Sequence, residues 1–154
     1  MKKGILLILT CVTTLTYAQK SKFSYKVGII TGLPANVSKT CISVGSTFLE
    51  ASKKVSKKIS ATANSGYLRI TSEGNTLSQI PVFIGAKYHI NDQWYFGAGA
   101  GVTIPTKTEY GDTEFGYSPY VGYQKGHISV DMRYYLSGLE TPLSTIGLVF
   151  SYTL

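Results

Sequence analysis

Few side chains in this sequence have the chemistry of a catalytic base, a nucleophile or a metal ligand. The histidines are His89 and His127, and the cysteines are Cys11 and Cys41. General-base catalysis near neutral pH most often uses a histidine beside the reacting group, and the acidic residues between 109 and 114 have no histidine beside them. No metal-ligand spacing or phosphate-binding glycine motif is present in the sequence. We therefore expect no catalytic site, no cofactor and no metal.

Charged residues do occur within segments that are otherwise apolar, small or hydroxyl-bearing. Four of them share the polar side of their segments: Lys26, Lys87, Asp131 and Arg133. A buried charge is costly unless it is paired, so we expect these four to form one ion-pair network centred on Asp131. Three tyrosines are expected to fill the space around it: Tyr95, Tyr120 and Tyr135.

The composition is that of one folded domain. The chain has 154 residues, is 44% hydrophobic and 15% charged, and contains 16 Gly and 12 Tyr, which excludes collagen-like, disulfide-framework and disordered classes. The formal net charge is +7. Much of the positive charge is concentrated at Lys2, Lys3 and residues 53–58, so we expect no nucleic-acid partner. Residues 53–58 are instead expected to contact anionic lipid headgroups or solvent.

Residues 1–18 have the pattern of a secretory signal peptide. Two lysines precede an apolar run, and Thr16-Tyr17-Ala18 places small residues three and one before a cut at Gln19. The alternatives are a membrane anchor, for which the run is shorter than the roughly 20 residues needed, and a lipoprotein cut before Cys11. Cleavage would leave residues 19–154 as one domain with a single thiol.

The rest of the sequence alternates between apolar and small or polar residues with a period of two, which is typical of strands. Eight such segments follow one another, and the clearest is residues 94–104, in which glycines fill alternate positions. In the second segment, Ile42, Val44 and Phe48 are expected on one side, opposite Ser43, Gly45 and Thr47.

Irregularities are predicted in three of these segments. The third segment changes parity before Leu68, which predicts a β-bulge near Ser65-Gly66. Pro81 and Pro119 each remove one ladder donor, so bulges or short pairing gaps are expected there.

The connections alternate in length. Short turns are predicted at Asn91-Asp92-Gln93, at Lys125-Gly126 and over residues 53–58. Longer links are predicted at residues 32–40, 71–78, 105–114 and 137–144. Such alternation is typical of bacterial outer-membrane barrels, with short periplasmic turns and both termini in the periplasm.

The apolar side of the strands is expected to face lipid, and the Gly- and Ser-rich side is expected to face the lumen. No later stretch offers about 18 consecutive apolar residues for a spanning helix, whereas a closed barrel satisfies every backbone group between strands. Aromatic residues are expected at both ends of the apolar band. The periplasmic set is Phe23, Tyr25, Tyr88, Trp94, Phe96, Tyr123 and Tyr152, and the opposite set is Phe115, Tyr117 and Tyr134.

The C-terminal segment carries the most specific motif. In residues 145–152, the spacing of Gly147, Phe150 and Tyr152 resembles the assembly signal on the last strand of outer-membrane barrels. Residues 80–101 resemble the central hairpin of the same proteins. The whole mature chain thus resembles the small outer-membrane β-barrel family of the OmpA-transmembrane or OmpX type.

That resemblance implies an all-β, eight-stranded antiparallel up-and-down transmembrane β-barrel in the outer membrane, monomeric and not an enzyme. Its partners would be outer-membrane lipids and the barrel assembly machinery, and its role would be structural or interactive through the outer loops. Some barrels of this size modify lipids at the outer rim, but His89 and His127 are expected at the periplasmic rim. The alternatives are a narrow porin-like barrel for small solutes and a soluble periplasmic lipocalin-like carrier.

Overall fold

A computed structural model describes residues 23–34, 41–72, 75–106, 112–137 and 143–154. It contains eight strands, which are β1 (Phe23–Pro34), β2 (Cys41–Lys54), β3 (Ile59–Ser72), β4 (Asn75–His89), β5 (Trp94–Pro105), β6 (Glu114–Lys125), β7 (Ile128–Ser137) and β8 (Leu143–Thr153). Each strand pairs antiparallel with the next, and β8 pairs with β1 to close the barrel. The predicted eight-stranded antiparallel up-and-down barrel is confirmed. The predicted leader, residues 1–18, lies outside the described residues.

Within the described residues, no helix is long and apolar enough to cross a membrane.

The alternation of the sequence becomes the two faces of the barrel wall. In β5, Trp94 and Phe96 are exposed on the outer face, whereas Tyr95 between them is buried in the lumen. Successive side chains of a strand point to opposite faces, and every strand for which side chains are described follows this rule. The outer face is therefore apolar over its whole circumference, with large exposed side chains that include Ile29, Leu49, Ile59, Ile84, Val102, Val121, Met132 and Leu148.

The lumen is filled by successive layers of side chains. We call the end of the barrel that carries residues 55–58, 90–93 and 126–127 the turn end, and the opposite end the loop end. The charged side chains occupy the half of the lumen nearer the turn end. Above them, towards the loop end, lies an apolar plug formed by Ile30, Phe48, Phe83, Tyr135 and Val149. Buried polar side chains such as Gln79, Thr103 and Thr145 lie nearest the loop end.

The predicted face of Phe48 was wrong because β2 contains an irregularity. The register of β2 against β3 shifts between Val44 and Thr47, and one extra residue moves every following side chain to the other face. Phe48 is consequently 1% exposed and faces the lumen, while Thr47 faces outward.

The bulge predicted near Ser65-Gly66 was also wrong. The register of β3 against β4 is constant from Ile59–Tyr88 to Ser72–Asn75. With this constant register, Leu68 points into the lumen, where it is 2% exposed. An apolar side chain on the lumenal face, rather than a bulge, explains the change of parity in the sequence.

The prolines interrupt pairing without shifting the register. Beside Pro119, the β6–β7 ladder pairs Tyr117 with Leu136 and resumes at Tyr120 and Arg133. The β3–β4 ladder is interrupted beside Pro81 in the same way. The expected pairing gaps are confirmed, because a proline has no backbone N–H to donate.

The connections follow the prediction except at one link. The turns at the turn end are short, and in one of them Asn91 Oδ1 accepts hydrogen bonds from the backbone N–H groups of Gln93 and Trp94 at 2.9 and 2.7 Å. The long link predicted over residues 71–78 was wrong, because β3 continues to Ser72 and β4 begins at Asn75. The other three links at the loop end are longer.

Substitution of Phe48 tests the corrected register of β2. We expect Phe48→Ala to lower the free energy of unfolding by about 3–5 kcal/mol, because it opens a cavity in the apolar plug. Leu49→Ala, one residue further on the outer face, is the matched control and should cost far less. Urea unfolding of both variants in dodecyl maltoside micelles measures the difference. A larger loss for Leu49→Ala would contradict the register.

Candidate functional site in the barrel lumen

Five charged side chains from four strands meet in the lumen near the turn end. β1 contributes Lys26, β2 contributes Glu50, β4 contributes Lys87, and β7 contributes Asp131 and Arg133. Each lies at an inward position of its strand, and Lys26 is directly paired with Glu50 across the β1–β2 ladder. We call these five residues the ionic cluster.

Glu50 is the carboxylate with the most ion pairs in the ionic cluster. Its Oε1 accepts a hydrogen bond from Lys87 Nζ at 2.6 Å, and its Oε2 accepts one from Arg133 Nη2 at 3.0 Å. The same Arg133 Nη2 lies 3.1 Å from Asp131 Oδ2. The cluster therefore joins the four predicted residues but is centred on Glu50 and Arg133, rather than on Asp131 alone.

Glu50 was missed by the sequence analysis, and the β2 irregularity explains why. Glu50 has the same parity as Phe48, so placing Phe48 on the outer face also placed Glu50 there. The number of charges gave a signal that could have been used, since three lumenal cations with one carboxylate favour a second acid nearby.

Hydroxyl groups extend the cluster across the lumen. The Tyr95 hydroxyl donates a hydrogen bond to Asp131 Oδ1. Lys26 Nζ donates to Ser129 Oγ at 2.9 Å and lies 3.4 Å from the Tyr95 hydroxyl oxygen. Ser129 Oγ is in turn 2.8 Å from Ser151 Oγ on β8.

Aromatic rings enclose the cations. The Arg133 guanidinium carbon lies 4.0 Å from the ring centroid of Tyr120 and 4.6 Å from that of Phe48. Lys87 Nζ lies 4.7 Å from the ring centroid of Tyr95. Such cation–π contacts gain strength where water is excluded, and the Arg133 side chain is fully buried here.

A glycine opposite the cluster makes room for it. Gly122 pairs with Asp131 across the β6–β7 ladder, and a Cβ atom there would lie 2.5 Å from Tyr95 Cζ. The absence of a side chain at Gly122 lets the Tyr95 ring reach the Asp131 carboxylate.

The other residues singled out by sequence lie outside the ionic cluster. Tyr135 packs against Phe83 in the apolar plug, with ring centroids 6.1 Å apart. His89 Nε2 lies 3.1 Å from Ser60 Oγ, and His127 Nδ1 lies 2.9 Å from the carbonyl oxygen of Thr153. Both histidines are at the turn end, and no three His, Cys, Asp or Glu side chains converge as metal ligands within the described residues.

The residues of the C-terminal motif lie on β8, which closes the barrel. Gly147 faces the lumen, whereas Phe150 and Tyr152 are exposed on the outer face. β8 pairs with β1 over residues 145–153, so the last strand of the chain completes the ladder around the barrel.

The sequence matches no family model and no curated protein. Its structure, however, is similar to solved barrels. Ail of Yersinia pestis aligns over 86% of this chain and 98% of its own at 12% identity, with a TM-score of 0.61. The N-terminal β-barrel domain of Pseudomonas aeruginosa OprF aligns over 85% and 97% at 11% identity, with a TM-score of 0.54. A designed transmembrane β-barrel aligns over 85% and 95% at 13% identity, with a TM-score of 0.58.

These similarities define the fold class. The chain has the fold of the small outer-membrane β-barrels, of which Ail and the OprF barrel domain are natural examples.

Removal of either carboxylate tests the centre of the ionic cluster. Glu50→Gln leaves Lys87 and Arg133 without their shared partner, and breaking buried pairs of this kind costs about 3–5 kcal/mol. Asp131→Asn should cost less, because Arg133 keeps its contact with Glu50. The free energy of urea unfolding in dodecyl maltoside micelles measures both losses.

A double variant supplies the control for this prediction. Adding Lys87→Met to Glu50→Gln removes the unmatched charge and should restore part of the lost stability, as in a double-mutant cycle. Equal losses for Glu50→Gln and Asp131→Asn would contradict the central role of Glu50.

Proposed function

We propose that this chain is an integral outer-membrane β-barrel protein without enzymatic activity, with a structural or surface-interaction role exerted through its loop end. The observation that carries the proposal is the combination of an apolar outer face with a lumen filled by charges and an apolar plug. A bilayer solvates such a face favourably.

The outer face supports membrane insertion. Soluble monomers rarely expose continuous apolar patches larger than a few hundred Å², whereas here large apolar side chains are exposed on every strand. Aromatic pairs such as Trp94–Tyr123 and Tyr88–Phe96, with ring centroids 5.1 and 5.2 Å apart, lie near the turn end. Tyr and Trp favour the interface between membrane and water.

The packing of the lumen disfavours both alternative functions, the soluble lipocalin-like carrier and the narrow porin-like barrel. A lipocalin-like carrier needs an apolar cavity open to its ligand, whereas the residues at the centre of this barrel are charged and fully buried. A narrow porin needs a continuous aqueous path, but Arg133 is packed against the rings of Phe48 and Tyr120. The side chains of Arg133, Glu50 and Asp131 are at most 1% exposed. The apolar plug blocks the same path a second time.

The loop end is the surface we propose for interaction. β1 and β2, β5 and β6, and β7 and β8 are joined there by the longer connections of the barrel. In this arrangement both termini are periplasmic, export begins at the leader of residues 1–18, and β8 is the strand offered to the assembly machinery.

Two equally exposed apolar residues provide a test of membrane insertion. Ile84, at the centre of the β4–β5 ladder, is 71% exposed, and Val55, in the turn between β2 and β3, is 69% exposed. In a bilayer, Ile84→Arg should cost about 2–4 kcal/mol, whereas Val55→Arg should be nearly neutral because it lies beyond the hydrocarbon. Unfolding from liposomes measures both.

Cell fractionation provides a second test of membrane insertion. The wild-type chain should require detergent for extraction and should migrate differently on a gel before and after boiling. A chain that dissolves in periplasmic extract without detergent, or equal effects of the two arginine substitutions, would overturn the proposal.

Planar-bilayer recording tests the filled lumen. We expect the wild-type protein to produce no stepwise conductance, because the ionic cluster and the plug occlude the path between the two ends. Reproducible conductance steps that are absent from a heat-denatured control would instead favour the narrow porin-like function.

A further inference from the structure

A cavity of about 410 Å³ lies at the turn end of the barrel, below the ionic cluster. Its lining includes four lysines and a histidine, which are Lys26, Lys54, Lys57, Lys87 and His89. The only carboxylate in the lining is Asp92. We call this cavity the basic vestibule.

Within the part of the chain that the structure describes, Lys26 is the member of the ionic cluster that has no ion pair with a carboxylate, and it forms the floor of the basic vestibule. Lys26 is 3% exposed, and among the described residues its ammonium group donates only to the neutral hydroxyls of Ser129 and Tyr95. Both carboxylates of the cluster are paired with Lys87 or Arg133. The cluster has two carboxylates for three cations, so one positive charge is left in excess. An uncompensated buried charge is costly, so an anion in the vestibule would stabilise this floor.

Two lysines at the rim of the vestibule add positive charge to the cavity. Lys54 and Lys57 line the cavity and are exposed at its mouth, and within the described residues neither belongs to an ion pair. Clefts lined by charges of one sign concentrate ions of the other sign. The neighbouring Lys53 is different, because it is not part of the lining, and its Nζ lies 5.3 Å from the ring centroid of Phe23.

Polar groups between rim and floor complete the lining. Hydroxyl groups come from Ser24, Ser52 and Ser60, and side-chain amides come from Asn91 and Gln124. Lysine ammonium groups act as point charges towards phosphate oxygens, and hydroxyl and amide groups donate further hydrogen bonds to the same oxygens.

We propose that the basic vestibule binds a phosphate-type oxyanion, with Lys26 as its partner on the floor and Lys54 and Lys57 at the rim. The phosphate group is supplied either by a small soluble phosphate or by the headgroup of an anionic lipid that reaches the mouth of the barrel. Both sources present the same charged oxygens to the same lysines.

Titration of the full chain with inorganic phosphate in dodecyl maltoside micelles tests this site, because that detergent is uncharged. We expect saturable amide chemical-shift changes at residues 90–93 and in the turn at residues 55–58. Lys26→Met should weaken binding by at least about tenfold, as expected for loss of a charged hydrogen-bond partner.

Two charge-matched double variants separate a site from general attraction, and neither alters the buried cluster. Lys54→Gln with Lys57→Gln removes the rim charges, whereas Lys53→Gln with Lys125→Gln removes two charges outside the lining. The first pair should weaken phosphate binding by about tenfold and the second by less than about twofold. Equal weakening would overturn the proposal, because the attraction would then depend on net charge alone.

Nanodiscs distinguish the two sources of phosphate. In phosphate-free buffer, the amide shifts are compared between discs of phosphatidylcholine alone and discs containing phosphatidylglycerol. Shifts at residues 90–93 that require phosphatidylglycerol identify a lipid headgroup, while shifts seen only with inorganic phosphate identify a soluble ion. Absence of a saturable change in both arms would overturn the proposal, whatever the location of the barrel in the cell.

Discussion

The Glu50 carboxylate, held between Lys87 and Arg133, is the interaction on which the interior of this barrel depends. Backbone hydrogen bonds join each strand only to its two neighbours, so they do not fix the distance across the lumen. Glu50 joins β2 to β4 and β7, and Tyr95 joins β5 to β7 through Asp131. The ionic cluster therefore links strands that have no ladder in common.

We infer that this cluster also favours the observed register of β2. Desolvation of its charges offsets much of their attraction, so a buried ion pair is weak evidence for stability but can favour one arrangement over others. A one-residue slip in β2 would move Glu50 to the apolar outer face. The register already shifts once between Val44 and Thr47, and the ion pairs of Glu50, three residues beyond Thr47, oppose a further slip.

The strands predicted most fully from sequence are those in which one rule applies throughout. In β5, apolar residues from Phe96 to Val102, including two alanines, alternate with Gly97, Gly99 and Gly101 without interruption, and the outer and inner faces follow directly. In β2 the pattern is ambiguous, because an added residue changes parity and sequence alone does not show whether Phe48 faces lipid or the plug. The missed Glu50 is a consequence of that single ambiguity.

The link predicted at residues 71–78 failed for a different reason. Its polar composition is typical of a loop, but a strand that extends beyond the apolar band also has polar residues on both faces. β3 and β4 pair there through Thr71–Thr76 and Ser72–Asn75. Polar composition indicates that a segment is exposed to water, but it does not show whether the segment pairs with another strand. The ends of such strands therefore cannot be predicted from hydropathy.

The layers of the lumen follow from the reversal of faces in this barrel. Once the larger apolar side chains lie outside, polar groups fill much of the interior. The ionic cluster pairs its two carboxylates with Lys87 and with Nη2 of Arg133, while Nε and Nη1 of Arg133 have no hydrogen-bond partner among the described residues. The apolar plug fills the next level, where Phe83 and Val149 face inward against the general pattern.

Lys26 lies at the boundary between this packed interior and the basic vestibule. Lys26 lines the vestibule, so the same packing that closes the barrel also leaves an excess positive charge beside a cavity at one end of it.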